Sequence, residues 1–213
     1  MVRFFLLEPL NGSGRKGGIP MQPLLIAAQA AELLSGSPQG LLVHSRRVAS
    51  LVAYILETAP NLANGYRQDE IILAALLHDL GKLHWPEEFF SKPRYLLSNS
   101  DFFLMESHPF SSANLARQIG APESVATLIE QHHEKKGGGG YPRKLINPDP
   151  VALLIGTCDA YAACLEPRPY RPETLTHAQA LKEARKVGCL TSAAILEVLP
   201  DRILTNSLKL GRL

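Results

Sequence analysis

The chain of 213 residues is poor in the features that assign a protein quickly. It has only three cysteines, Cys158, Cys164 and Cys189, odd in number and without CxxC spacing. A disulfide framework or a zinc knot is thereby excluded, and a reducing, cytoplasmic setting is expected. Excess charge is lacking too: 22 Lys+Arg stand against 20 Asp+Glu, a net +2 with histidine neutral. That balance gives no basis for binding a nucleic-acid polymer, although local cations can still meet an anionic substrate. No run approaches the ~18 consecutive apolar residues of a membrane span. The short apolar stretch at 4–7 has no signal-peptide core behind it, so neither membrane insertion nor export is expected. Strand signals are almost absent. What is there, 46% hydrophobic and 20% charged residues, suits one domain with a full-sized core.

Turn and breaker residues divide the chain. Residues 1–23 read as an irregular lead, with NGSGRKGGIP rich in glycine and 4–7 at most a short strand. Residues 24–213 read as a single all-α bundle. PLLIAAQAAELL (23–34) is built of helix formers and stops at Ser-Gly-Ser-Pro. Over 41–57, Val43, Val48, Leu51, Val52, Ile55 and Leu56 recur at helical spacing, which puts His44 in the first turn. After an Asn64-Gly65 turn, Asp69 is expected as the N-cap of EIILAALLHDL and Gly81 as its C′ residue, with His78 and Asp79 in the last turn. A helical piece covers 101–107. His108 is expected at a boundary, because a residue before proline avoids the α region. Further helices are expected over 109–119, from Pro122 to His133, from the Asp149-Pro150 start onward, and over 176–187 and 191–204.

Five of the seven histidines stand in a pattern: His44, the pair His78-Asp79 in LLHDLGK, His108, and the pair His132-His133 before four glycines, with Asp159 beyond them. A single histidine on an apolar helix is usually a core residue with satisfied ring nitrogens, and His84 and His177 are assigned to that class. Two dyads at helix ends with a separate His and Asp are a different matter, because packing rarely produces them together. Adjacent helical residues point about 100° apart, so His78 and Asp79 can feed one cluster only over a helix end. There Asp79 can bridge two cations about 3.5–4 Å apart, an arrangement that activates water against a phosphate ester.

The motif series His44, His78-Asp79-Leu80-Gly81-Lys82, His108-Pro109 and Asp159 resembles the HD superfamily of metal-dependent phosphohydrolases. HHEKKGGGGYP at 132–142 and RPYR at 168–171 are similar to its HD-GYP branch, whose members hydrolyse cyclic di-GMP; the likeness spans roughly 41–199. The resemblance implies an HD-domain helical bundle with a glycine-rich GYP loop. It implies one metal held by His44, His78, Asp79 and Asp159, and a second held by Asp79, His108, His132 and His133. Iron or manganese would be the ions, both suited to His-plus-carboxylate ligation. Lys82 would stand at the scissile phosphate, and Tyr141, Arg168 and Arg171 would contact nucleotide or phosphate.

The chain departs from that pattern in three places. Gly40 stands where members with a third metal carry a Glu, so two metals are expected. Lys135 and Gly137 replace the Arg and Asp of the usual HHERxDGxGYP motif; losing that Asp removes a carboxylate expected to fix the loop. Regulation by a sensory domain ahead of the catalytic one is not expected.

The chemistry implied is attack on a phosphodiester by a water bridging the metals, with Lys82 neutralising charge on the non-bridging oxygens. Asp79 or a neighbouring carboxylate would take the nucleophile's proton. Lys82 also suits a helix C-terminal cation, and the two arginines suit bidentate phosphate contacts. Tyr141-Pro142 would form an aromatic rim for a guanine, and Glu134 would orient a ligand histidine. Three functions stay open: a phosphodiesterase cutting cyclic di-GMP to pGpG or GMP, an HD hydrolase of another nucleotide or phosphate ester, and a catalytically weak module that binds a signalling protein.

Overall fold

The computed structural model describes residues 21–37, 40–167 and 173–200, all of them in helices, turns and loops without a strand. The helices are α1 (Met21–Ser35), α2 (Leu41–Thr58), α3 (Gln68–Leu77), α4 (Glu87–Ser91), α5 (Asn99–Gln118), α6 (Glu123–Gln131), α7 (Pro150–Cys164), α8 (His177–Arg185) and α9 (Leu190–Glu197). The expected strand at 4–7, and the end of the last helix beyond 200, lie outside the described residues. Helix α1 starts at Met21, inside the segment expected to be an irregular lead. Among the described residues no helix is long and apolar enough to cross a membrane.

The core forms where α2 packs on α3 and α7. Leu51, Val52 and Ile55 of α2, Ile71 and Leu77 of α3, and Leu154, Ile155 and Tyr161 of α7 are almost fully buried. Each such side chain contributes about 1.5–3 kcal/mol by leaving water. Helix α7 is buried nearly all round, from Val151 to Cys164. A helix of that kind belongs in the middle of a bundle. Its start follows the sequence: Pro150 sits at the first helical position and the Asp149 carboxylate accepts from the Val151 amide at 2.8 Å.

Several local expectations change. Arg67, not Asp69, is the N-cap of α3; Asp69 lies in the first turn and pairs with the Arg67 guanidinium at 2.7 Å. Gly81 is not a C′ residue. Helix α3 stops at Leu77, His78 caps it, and Asp79 (φ −105°, ψ 10°) leads into a 3₁₀ turn, Leu80–His84, that contains Gly81. Gly81 is needed for closeness instead: a Cβ there would lie 2.8 Å from the His108 carbonyl and from Ser112 N. Its amide donates to Ser112 Oγ at 2.8 Å.

Pro109 does not break α5, which runs unbroken through it from a Ser98–Asp101 capping box. Proline withholds the N–H that the Met105 carbonyl would otherwise receive. His108 Nδ1 donates to that carbonyl at 2.6 Å and so repairs the gap. The residue expected at a helix boundary is therefore held inside the helix.

Gly156 on α7 matches Gly81 in use. A Cβ there would collide with the backbone carbonyl of His132, so the end of α6 rests on α7 at the glycine. Overfilling a packed contact typically costs about 1–3 kcal/mol. Gly156→Ala is expected to lose stability in that range by urea unfolding, whereas Gly36→Ala, in an exposed turn with open space around it, stays within about 0.5 kcal/mol of the parent. Equal effects would refute the close-contact role of Gly156.

Candidate metal centre

All seven side chains expected as ligands converge in one buried pocket of polar groups. They come from α2 (His44), the end of α3 (His78, Asp79), the middle of α5 (His108), the end of α6 (His132, His133) and α7 (Asp159). His78, Asp79, His108 and His132 are essentially inaccessible, and His44 and Asp159 nearly so. Potential ligand atoms lie within 4.8 Å of one another in three overlapping groups: Asp79, His108, His132 and His133; His44, His78 and Asp79; and His78, His132 and Asp159.

Asp79 is the common member of the first two groups, and its two oxygens face different partners. Oδ2 lies 3.3 Å from His78 Nε2 and 3.7 Å from His44 Nε2. Oδ1 lies 3.3 Å from His108 Nε2. Asp159 completes the far side: Oδ1 lies 2.9 Å from His44 Nε2, and Oδ2 is 3.8 Å from His133 Nδ1. Burial would raise the pKa of both carboxyls. The charge environment outweighs it, His78 and Lys82 around Asp79 and chiefly His44 and His133 around Asp159, and holds both well below the usual carboxylate range.

Three rings share one device. His78 Nδ1 donates to Ala75 O at 2.8 Å, His108 Nδ1 to Met105 O at 2.6 Å, and His132 Nδ1 to Ile129 O at 2.6 Å. Each acceptor is the carbonyl three residues earlier in the same stretch of chain. The proton is fixed on Nδ1 in every case, which leaves Nε2 with its lone pair directed into the cluster. His108 Nε2 and His132 Nε2 then face each other at 3.3 Å. Burial depresses both pKa values, helped by the Lys82 charge at His108 and by His78 at His132. His133 is lowered in the same way, by burial and then by its two histidine neighbours.

Two lone pairs 3.3 Å apart repel unless a cation stands with them. His78 Nε2 and Asp79 Oδ1 are also buried without a hydrogen-bond partner, which native interiors rarely tolerate. Nitrogen lone pairs beside ionised carboxylates are the donor set that a divalent ion takes. The residues fit such a metal.

The groups around the cluster are placed as follows. Lys82 Nζ donates to Asp79 Oδ2 at 2.7 Å, so it stands at the cluster as expected. The Tyr141 ring lies 4.6 Å from His133, at the loop's exit. Arg168 and Arg171 lie outside the described residues. His84 is exposed, not a core residue: the 3₁₀ turn that replaces the expected helix end carries it to the surface. His177 does have satisfied nitrogens, Nδ1 at 2.8 Å from the Tyr161 hydroxyl and Nε2 at 3.3 Å from Glu197 O.

Among the described residues Glu134 makes no hydrogen bond to a histidine. Its buried carboxylate accepts from the amides of Arg143 at 2.7 Å and Leu145 at 3.0 Å. It thereby clamps the return of the glycine loop, the task expected of an Asp at 137. Gly137 occupies that position at φ 86° and donates its amide to Ile146 O at 2.9 Å, a backbone conformation that favours glycine.

Glu166 is the residue that sequence reasoning missed. Its carboxylate receives His44 Nδ1 at 3.0 Å and Arg47 Nη1 at 2.6 Å. Burial alone would lower the His44 pKa, but Glu166 and then Asp159 outweigh it and lift it to about 9. Glu166 thus fixes the ring whose Nε2 faces Asp159 and Asp79. Such outer partners are worth about 10–100-fold in metal affinity. Glu166→Gln is expected to weaken Mn(II) binding by about tenfold in calorimetric titration with the helical circular dichroism unchanged; parental affinity would remove Glu166 from the centre.

Comparison with known proteins agrees with this geometry. The HD domain family model matches residues 29–187. A 3'3'-cGAMP-specific phosphodiesterase 1 of Vibrio cholerae is 31% identical over 148 residues, covering 68% of this chain and 34% of that protein. A cyclic di-GMP phosphodiesterase response regulator, RpfG, of Xanthomonas campestris is 31% identical over 156 residues, covering 68% of this chain and 38% of that protein. The chain thus spans about a third of the length of these curated relatives. Among solved structures, an HDG"Y"P protein from Bdellovibrio bacteriovorus superposes with a TM-score of 0.60 at 23% identity, over 84% of this chain and 57% of that one. The PgpH HD domain of L. monocytogenes in complex with cyclic-di-AMP does so with a TM-score of 0.56 at 16% identity, over 84% of this chain and 94% of that one. With its seven His and Asp side chains gathered from five helical segments, six of them buried, and its family match running across most of the sequence, the chain belongs to the HD domain family, whose members bind divalent metal.

Proposed function

We propose that the chain is a binuclear metal phosphodiesterase whose substrate is a cyclic dinucleotide, cyclic di-GMP first. The observation carrying this reading is Asp79, whose two oxygens are turned toward two different sets of histidines. One metal would be held by His44, His78, Asp79 and Asp159, the other by Asp79, His108, His132 and His133. Gly40, in place of a third-site Glu, supports two ions rather than three, and iron or manganese suits the donors. The printed names of the relatives, acting on cyclic di-GMP or 3'3'-cGAMP, support the substrate class.

When bound, the ions supply an activated water and charge neutralisation at the phosphate. The protein's own groups do the rest. Lys82, half-buried and 2.7 Å from Asp79, offers an ammonium to a non-bridging phosphate oxygen beside the centre. Asp79 or the neighbouring Asp159, both held ionised, would take a proton released from water. The imidazoles of His78, His108 and His132 keep their Nδ1 protons on backbone carbonyls and so stay oriented throughout. Tyr141 supplies an aromatic wall for a base, and Arg168 and Arg171 charge for the second phosphate.

Hydrolysis of cyclic di-GMP beside a panel of other nucleotides, with added Mn(II) or Fe(II), tests this. Conversion to pGpG or GMP is expected; cleavage of other phosphate esters alone would replace the substrate, and two bound metals without any turnover would favour a binding module. Asp79→Ala is expected to lose both metals and at least about 10³-fold in rate, a large share of what paired ions contribute. His84→Ala, exposed and in none of the ligand groups, stays near the parent. Retained metal in Asp79→Ala would refute the bridge.

A further inference from the structure

The chain contains a single tryptophan, Trp85, and it stands at the edge of the metal centre. The 3₁₀ turn that carries Lys82 ends on it: its amide donates to Lys82 O at 3.1 Å, and its extended backbone (φ −74°, ψ 140°) leads into Pro86. The indole meets His108 edge-on, with ring centroids 5.5 Å apart. Lys82 Nζ lies over the indole, 5.4 Å from its centroid. Phe89 and Phe90 support the indole from α4 at 4.3 and 5.6 Å. It nonetheless remains half-buried, beside histidines that are wholly enclosed.

This geometry points to Trp85 as a contact surface for a nucleobase of the substrate, a specificity-determining residue that rests on the phosphodiesterase reading above. A phosphate placed against Lys82 brings its attached nucleoside to the surface beside that ammonium, and the aromatic surface there is the indole. His108 thus has an aromatic ring on two neighbouring elements, Trp85 at 5.5 Å and Tyr141 at 6.2 Å. A cyclic dinucleotide presents two bases, and the pair of rings offers a surface to each. Indole is the strongest of the aromatic side chains for an electron-poor base edge or a cation, and stacking of this kind tolerates either purine. The prediction is therefore that Trp85 acts on binding of a cyclic dinucleotide more than on bond cleavage.

Trp85 is also its own reporter. Stopped-flow mixing of the metal-loaded chain with cyclic di-GMP should quench the intrinsic indole emission before turnover, while dimethyl phosphate, a diester without bases, should not. Trp85→Leu is expected to raise KM for cyclic di-GMP about tenfold with kcat within twofold and metal content unchanged; Trp85→Phe should recover part of the loss. Unchanged KM in Trp85→Leu together with unquenched parental emission overturns the proposal and leaves the phosphodiesterase standing. A loss of metal and kcat in Trp85→Leu that matches the rise in KM makes Trp85 a packing residue, and overturns it too. If the parental chain holds two metals yet neither binds nor cleaves any cyclic dinucleotide, the functional reading fails and Trp85 falls with it.

Discussion

The structure depends on keeping several proton-poor nitrogens and two ionised carboxylates together inside a helical bundle. Asp79 is the hub of that arrangement. Its carboxylate is almost completely buried, a position that disfavours charge, yet His78, the Lys82 ammonium and His108 keep it ionised. The surrounding fold accommodates this crowding through close backbone contact. Gly81 brings the turn after Asp79 against α5 at His108, and Gly156 brings α7 against the carbonyl of His132. Both glycines lie within a few residues of a carboxylate of the centre.

Most of the helices, though not α4, and the seven polar side chains were legible in the sequence because each rests on a local signal. Hydrophobic spacing marks α2, Asp149-Pro150 marks the start of α7, and the His-Asp and His-His pairs mark helix ends. The errors arose where a distant partner sets the local conformation. Gly81 reads as a helix stop, but its small size serves α5, which sequence neighbours cannot reveal. Pro109 reads as a break, but the adjacent imidazole takes over the abandoned carbonyl. Glu166 carries no motif of its own; it becomes part of the site only because α2 presents both His44 and Arg47 to it.

The glycine loop shows how one residue can take over a task from another. The expected carboxylate at 137 is replaced by a glycine, and the buried carboxylate of Glu134 receives two amides from the loop's return instead. Gly140 packs against the backbone of 133–135 so closely that any side chain would collide. The loop is thus tied to the segment that bears His132 and His133, and Tyr141 is set beside His133 as a result.

The habit of His78, His108 and His132 of donating Nδ1 to the carbonyl three residues behind has a consequence for assembly. The partner of each donor is only one helical turn away, so the ring can adopt its working tautomer as soon as that turn of helix exists, before the distant segments meet. Docking of the segments then has to supply position but not protonation state.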